Sequence, residues 1–362
     1  MKIALCGRFN TEKKHQGGSA EVFLELAKYL SKENTITLFG RGKPTKEIID
    51  MCKNRGINCY FIPSDNYLNI LLGPIRAIIL LARKFNDFDI IHTHTGSFAF
   101  ASVFFRKKCK IITHIHEVPV FSENSLLSNI YLFLESILLK FAAKNSDFVI
   151  TVSKYMKKEI INRWQIRNVT VIRNGIDTEV FKNKSNVKVT KLFKDSKYKL
   201  LYVGRLTKRK GILELIDSFR YLQKENIKLL IIGDGDLFSQ VKKKLSNLNG
   251  KVKLIKHVKN DQLASYYSSV DLVIIPSHYE PDGLVPLEAL ACGSQVLVSD
   301  NTGLKEIGHT FKLNKIEPKA IAITIEKIFS KKKRFKKNRE YAVENYKWEK
   351  IINEYQKIYT VK

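Results

Sequence analysis

Short apolar runs of strand length recur along this chain, each followed by a stretch of helical periodicity. The first series is "KIALCG", "TITLFG", "NCYFIP", "DIIHTH", "CKIITHIHE", "DFVITVS" and "VTVIRNGID". These runs do not alternate apolar with polar residues, as strands with one wet face would. They read as strands covered on both sides, which means a parallel sheet flanked by helices. Between them, "GGSAEVFLELAKYLSKE" opens an amphipathic helix from a glycine turn and "TKEIIDMCKNRG" forms another. Further helices lie around "ILLGPIRAIILLARKF", "SFAFASVFFRKK" and "LLSNIYLFLESILLKFAAKN".

The pattern stops and then starts again. "TEVFKNKSNVKVTKLFKDSKY" is polar, basic and weakly periodic, so a linker is expected over residues 176–197. Beyond it, strands "KLLYVGRL", "IKLLIIGDG", "KVKLIKHV", "DLVIIPS" and "SQVLVSD" alternate with helices "GILELIDSFRYLQKE", "LFSQVKKKLSNL" and "NDQLASYYSS". At 362 residues the chain is too long for one core. The expected architecture is α/β, two doubly wound Rossmann-like domains over 1–175 and 198–344. Ligands are expected at the carboxyl ends of the strands, in a cleft between the domains. The tail "KKKRFKKNREYAVENYKWEKIINEYQKIY" reads as an amphipathic packing helix.

Lys and Arg number 63 against 35 Asp and Glu, a net charge of +28. Such an excess suits a polyanionic neighbour: nucleic acid, anionic lipid or a phosphorylated ligand. A lysine-rich proteome would give the same excess. With no recognition module or aromatic-basic stripe, its charge is the sole argument for a nucleic-acid-binding protein, and no nucleic acid is expected as a partner. The five cysteines are scattered without C-x-x-C or finger spacing. No secretory signal and no bilayer-spanning run is visible, so a cytoplasmic chain is expected.

Several residues at strand ends carry polar chemistry. Gly17 and Gly18 precede a helix whose free N–H groups suit a phosphate, although a plain β-α turn explains the pair equally simply. "GDGD" at Gly233–Asp236 reads as such a turn, and neither stretch completes the G-x-G-x-x-G fingerprint of a dinucleotide-binding dehydrogenase. In "GRLTKRKG", Arg205 and Lys210 follow a strand and precede a helix, where two cations can clamp a diphosphate. His92, His94 and His116 lie near strand ends. No acidic or thiol partner completes a metal set, so hydrogen bonding or packing is expected of them and no metal site. In "SHYEPDGLVPLEALACG", Glu280 precedes a Pro281-Asp282-Gly283 turn. Pro286 reads as the first helical residue, which puts Glu288 in the favoured first turn, and Gly293 closes the helix. Both carboxylates can accept hydrogen bonds from vicinal diols.

Together these stretches resemble the retaining glycosyltransferases of GT-B fold in glycosyltransferase family 4. That family carries E-x-F-G-x-x-x-x-E before an apolar helix, matched here by Glu280, Gly283 and Glu288. The similarity runs nearly end to end, through "GGSAE", "DIIHTH", "THIHE", "VTVSKYM", "VIRNGID", "VGRLTKRKG", "IIGDG", "DLVIIPS", "EALACG" and "YKWEKIINEYQKIY". It implies transfer of a hexose from a nucleotide diphosphate sugar to a hydroxyl of a glycan or lipid-linked acceptor, with anomeric configuration retained and without metal or cofactor. It implies that Glu280 contacts the transferred sugar, Glu288 the ribose, and Arg205 and Lys210 the diphosphate. The amides of Gly17 and Gly18 would approach the phosphates, and the loop at Asp282, Gly283 and Leu284 would touch the donor. His116 takes the place of a strand-end histidine that contacts the sugar, and Lys256, His257 and Val258 face the nucleobase. The resemblance makes 1–175 the acceptor-side domain and 198–344 the donor domain, with a helix over about 345–362 returning to the first.

Three positions depart from the family's pattern. Asp282 replaces an aromatic and points to a more polar donor loop; Lys256 and Thr302 each replace a glycine. The sugar, the base and the acceptor stay open. A nucleotide-sugar epimerase on the same scaffold is the alternative enzyme. Apolar helices near "RKKCK" add an anionic membrane surface as a candidate partner, with the enzyme peripheral on the inner face of the plasma membrane. The same helices would equally serve to cover the sheet.

Overall fold

The computed structural model describes residues 1–9, 18–64, 67–85, 87–119, 126–184, 186–223, 226–248, 250–330 and 335–361. The chain divides into two compact units, Met1–Arg173 with Glu349–Lys362, and Asn174–Trp348.

The first unit holds β1 Lys2–Arg8, β2 Thr35–Arg41, β3 Asn58–Ile62, β4 Ile90–Thr93, β5 Lys110–Ile115, β6 Phe148–Thr151 and β7 Val169–Val171. Their order is β3-β2-β1-β4-β5-β6-β7, all parallel. Side chains alternate between two buried faces. On one, Ala4, Cys6, Ile91 and Ile111 pack with Ala77 and Leu81 of the helix Gly73–Lys84 and with Phe98 and Ala101 of Gly96–Ser102. On the other, His92 and His94 meet Phe23 of the helix Gly18–Leu30 and Tyr355 and Tyr359 of the helix Trp348–Thr360. That last helix buries Ile351, Ile352, Tyr355, Ile358 and Tyr359, a helical stripe from the end of the chain that completes the first unit.

The second unit holds β8 Tyr198–Val203, β9 Ile227–Ile232, β10 Val252–Ile255, β11 Leu272–Ile275, β12 Gln295–Ser299 and β13 Phe311–Leu313. They lie in the order β10-β9-β8-β11-β12-β13, again parallel. Leu201, Val273 and Val296 face the helices Asn260–Ser268 and Leu284–Ala291; Leu200, Leu272 and Leu297 face Ile212–Ser218 and Pro318–Ser330. Numbered within the unit, both sheets begin 3-2-1-4-5-6, the doubly wound order.

Two boundaries differ from expectation. Residues 176–197 are part of the second unit, because Ile176, Phe181 and Phe193 enter its core around a short helix, Val187–Lys191. The tail is two helices: Asn338–Tyr346 buries Ala342 and Tyr346 in the second unit, and the next begins at Trp348.

Candidate functional site

In the second unit the strand order reverses between β8 and β11, so the loops leaving those strands diverge and open a crevice. The loop after β8 carries Arg205 and Lys210. Tyr202 donates from its hydroxyl to the Arg205 carbonyl at 2.9 Å, which fixes the backbone while the guanidinium stays exposed. Arg205 has no carboxylate partner among the described residues. The turn ends at Gly211, where φ is +64° and a Cβ would lie 2.0 Å from the Pro276 carbonyl oxygen. Only glycine lets the two loops come this close. The His278 N–H donates to the Arg209 carbonyl at 2.9 Å and continues the seam.

Across that seam the Lys210 ammonium pairs with the Glu280 carboxylate. The side chains are 16% and 13% exposed, so each charge is largely withdrawn from water and held by the other. The buried Tyr202 phenol registers both signs. Burial pushes its pKa well above the ordinary value, Glu280 adds to the shift, and Arg205 opposes it.

Glu280 is fixed through its backbone, its carbonyl accepting from Gly303 N–H at 2.9 Å. A Cβ on Gly303 would fall 1.8 Å from the Pro281 carbonyl oxygen. Thr302, where a glycine is usual, caps the following turn by accepting from Leu304 N–H at 3.2 Å. Gly283, at φ +90°, precedes the helix, which begins at Leu284. Pro286 is therefore the third helical residue, tolerated because early N–H groups have no partner within the helix. Glu288 correspondingly falls in the second turn. It is 4% exposed and accepts from the Tyr267 hydroxyl at 2.6 Å, so a buried hydrogen bond holds it in place of the expected first-turn position. Gly293, at φ +88°, follows the helix and donates to the Leu290 carbonyl at 2.9 Å. Asp282 does not make the loop surface more polar. It is 1% exposed and accepts from Asn174 N–H at 3.4 Å, an inward anchor.

The residues after β10 form a separate group. Lys256 pairs with Asp234 at 3.5 Å and lies 5.3 Å above the Phe238 ring; His257 is exposed, and Val258 packs on the core. The β8 and β9 loops are joined by Leu206 N–H to the Asp234 carbonyl at 2.8 Å and Leu237 N–H to the Leu206 carbonyl at 2.9 Å.

In the first unit, Gly18 is exposed at the start of its helix, and Gly17 lies outside the described residues. His116 is not isolated. Its Nε2 lies 2.8 Å from His94 Nδ1, and its ring stacks on His114 with centroids 4.1 Å apart. Burial holds its pKa down at about 4 and that of His92 at about 3, leaving neutral imidazoles. One nitrogen from each of His92, His94 and His114 lies within 4.8 Å of the others. The convergence that the sequence reading found incomplete is thus supplied by histidines alone. The signal was present: β4 and β5 pair with Thr93 opposite Thr113, so "HTH" and "THIH" set side by side place all four rings on one face.

Known proteins share this fold. Residues 183–347 match the model of glycosyl transferases group 1, and residues 16–180 match that of Glycosyltransferase Family 4. A glycosyltransferase of Methanocaldococcus jannaschii is 30% identical over 343 residues, 84% of this chain and 85% of the relative. A capsular polysaccharide biosynthesis glycosyltransferase of Staphylococcus aureus is 34% identical over 200 residues, 50% of this chain and 52% of its own. Among solved structures, Anabaena HepE in complex with UDP and glucose superposes with a TM-score of 0.78 at 19% identity, covering 99% of each chain. Sucrose-phosphate synthase from Thermosynechococcus elongatus gives 0.79 at 21% identity, covering 99% of this chain and 98% of that one. The two Rossmann-like units are those of a GT-B glycosyltransferase. The chain belongs to glycosyltransferase family 4.

Proposed function

We propose that this glycosyltransferase moves a hexose from a nucleotide diphosphate sugar to a hydroxyl of a glycan or lipid-linked acceptor, with retention, in cell-envelope polysaccharide or glycolipid synthesis. The observation that carries the reading is the group at the second unit's reversal point: exposed Arg205 beside the Lys210–Glu280 pair. A donor would exchange that internal pair for two external ones. Its diphosphate takes Lys210 and Arg205, and its sugar hydroxyls donate to the released Glu280. The amide end of the helix at Gly283 and Leu284 adds positive potential beside the phosphates. As the bond from the anomeric carbon to the phosphate oxygen breaks, these groups stabilise the charge left on the diphosphate. The acceptor oxygen bonds to the anomeric carbon on the same face, and its proton passes to the departing phosphate oxygen.

Glu288, oriented by Tyr267, is assigned to the ribose. Lys256, His257 and Val258 are assigned to the nucleobase side, and Asp282 to holding the loop. His116 and the Gly17–Gly18 turn keep, from the family resemblance alone, the roles of sugar and phosphate contact. The Anabaena complex with UDP and glucose makes uridine diphosphate hexoses the first donors to test, and the capsular relative favours an envelope acceptor.

Among the described residues no helix is long and apolar enough to cross a membrane. Exposed apolar side chains nevertheless collect on first-unit helices: Leu68, Ile75 and Ile79, then Phe133, Ile137 and Phe141 of Leu126–Lys144. With the net charge of +28 they support peripheral attachment to anionic lipid. Failure to sediment with anionic vesicles at moderate salt removes this part.

A thermal-shift screen of nucleotide sugars tests the donor assignment. The donor should raise the melting temperature of the wild type and not that of Arg205→Ala; equal stabilisation of both contradicts it. With the donor identified, the product's anomeric configuration by NMR tests retention, and inversion refutes it. A glycosyl-enzyme trapped on Glu280 refutes same-face transfer, and conversion of donor without acceptor points to the epimerase.

A further inference from the structure

The first unit contains a second polar centre that the sugar-transfer reading leaves mostly unused. His92 and His94 on and just beyond β4, and His114 and His116 on and just beyond β5, lie on one face of the sheet. Three of the rings have one nitrogen taken. His92 Nδ1 lies 2.7 Å from the Tyr359 hydroxyl, and His94 Nδ1 lies 2.8 Å from His116 Nε2. Of the other nitrogens, His92 Nε2, His94 Nε2 and both of His114 are buried without a hydrogen-bond partner among the described residues. A buried unpaired polar atom costs about 1–3 kcal/mol, so three such side chains gathered at one point need an explanation.

We propose that His92, His94 and His114 bind one divalent transition-metal ion, with Zn2+ the chemistry that fits best. Donor nitrogens no more than 4.8 Å apart place a central ion at most about 2.8 Å from each, and zinc–imidazole bonds of about 2.1 Å then require shifts of about 0.7 Å. The rings are stacked or tilted against one another, with centroids 4.6–5.6 Å apart, so loading swings them about their side-chain torsions toward the ion. The set is imidazole only. Cys6 pairs in register with Thr93 and so points to the opposite face, and among the described residues no carboxylate joins the histidine group. Such donors select zinc, nickel, cobalt or copper over magnesium or calcium.

The neighbours already have the form of an outer shell. With the metal on Nε2, His92 donates from Nδ1–H to Tyr359, and His94 donates from Nδ1–H to His116 Nε2. His92 and His114 are fully buried while His94 and His116 are half-buried, which puts the entry path on the His94 side. Loading would tie the end of β4 to that of β5 and fix the tautomer of His116.

The test uses the full chain, stripped with chelator and titrated with Zn2+ alone. One ion per chain is expected, with a melting temperature raised by about 5 °C or more at a hundredfold excess over Kd. His94→Gln, at a half-buried position, should weaken binding at least tenfold. X-ray absorption of the zinc-loaded wild type should show three imidazole nitrogens whatever the variant does. Substoichiometric uptake, unchanged affinity in a folded His94→Gln, or a shell with fewer than three nitrogens overturns the proposal. None of these readouts involves sugar transfer, so the donor-site reading can fail or stand independently.

Discussion

The two units share a strand order and differ in what they put at its reversal point. In the second unit the loops leaving β8 and β11 bring together an exposed cation and a cation–carboxylate pair. In the first, the strand ends carry neutral imidazoles packed against one another under a helix. Chain topology decides where a polar group can gather, and residue choice decides which chemistry it performs. The charged centre suits a ligand that brings its own negative charge, whereas the neutral one suits a ligand that arrives as a cation or donates hydrogen bonds.

Lys210→Ala should break that contrast most severely. It removes a diphosphate contact and strands a largely buried Glu280, so kcat for transfer should fall about 10²–10³-fold and the melting temperature should also drop. A loss below tenfold would shift the burden of leaving-group stabilisation elsewhere. Gly211→Ala comes next. A positive φ and a carbonyl 2.0 Å from the new Cβ should cost about 2–3 kcal/mol in a denaturant titration, and an unaffected midpoint would show that the two loops separate easily. Glu288→Gln keeps an oxygen for the Tyr267 hydroxyl and loses the charge. Donor affinity should fall about tenfold, roughly 1.4 kcal/mol, while the unliganded melting temperature holds. Equal losses in both would make Glu288 a purely structural group. The smallest effect belongs to the first unit: in chelator-treated protein, His114→Leu should raise stability by about 1 kcal/mol, because it removes two unpaired nitrogens from the interior. A decrease beyond about 2 kcal/mol would mean that packing around the ring outweighs those nitrogens.

Both sheets were legible in the sequence, because strands buried on both faces leave unbroken apolar runs that local pattern reveals. Arg205, Lys210 and Glu280 could be singled out as candidates for a related reason, since each lies in a loop that leaves such a run. The misreadings all depend on distant contacts. The stretch 176–197 looked like a linker because its anchors, Phe181 and Phe193, are single aromatics without a period. Pro286 marked the wrong helix start, since the first three positions accept proline alike. Asp282 read as making the donor loop more polar because its partner, Asn174, is more than a hundred residues away in the chain. The histidine group required pairing two strands in register, which neither strand reveals alone.

The helix ending at Thr360 also bears on synthesis. Its buried stripe covers the His92 face of a sheet whose strands all lie before residue 172. During translation the second unit, made later, has its full sequence available first. The earlier-made sheet must wait, with one face uncovered, until the helix Trp348–Thr360 has been made. A chain that stalls before that helix emerges would therefore present a finished second unit and an unfinished first one.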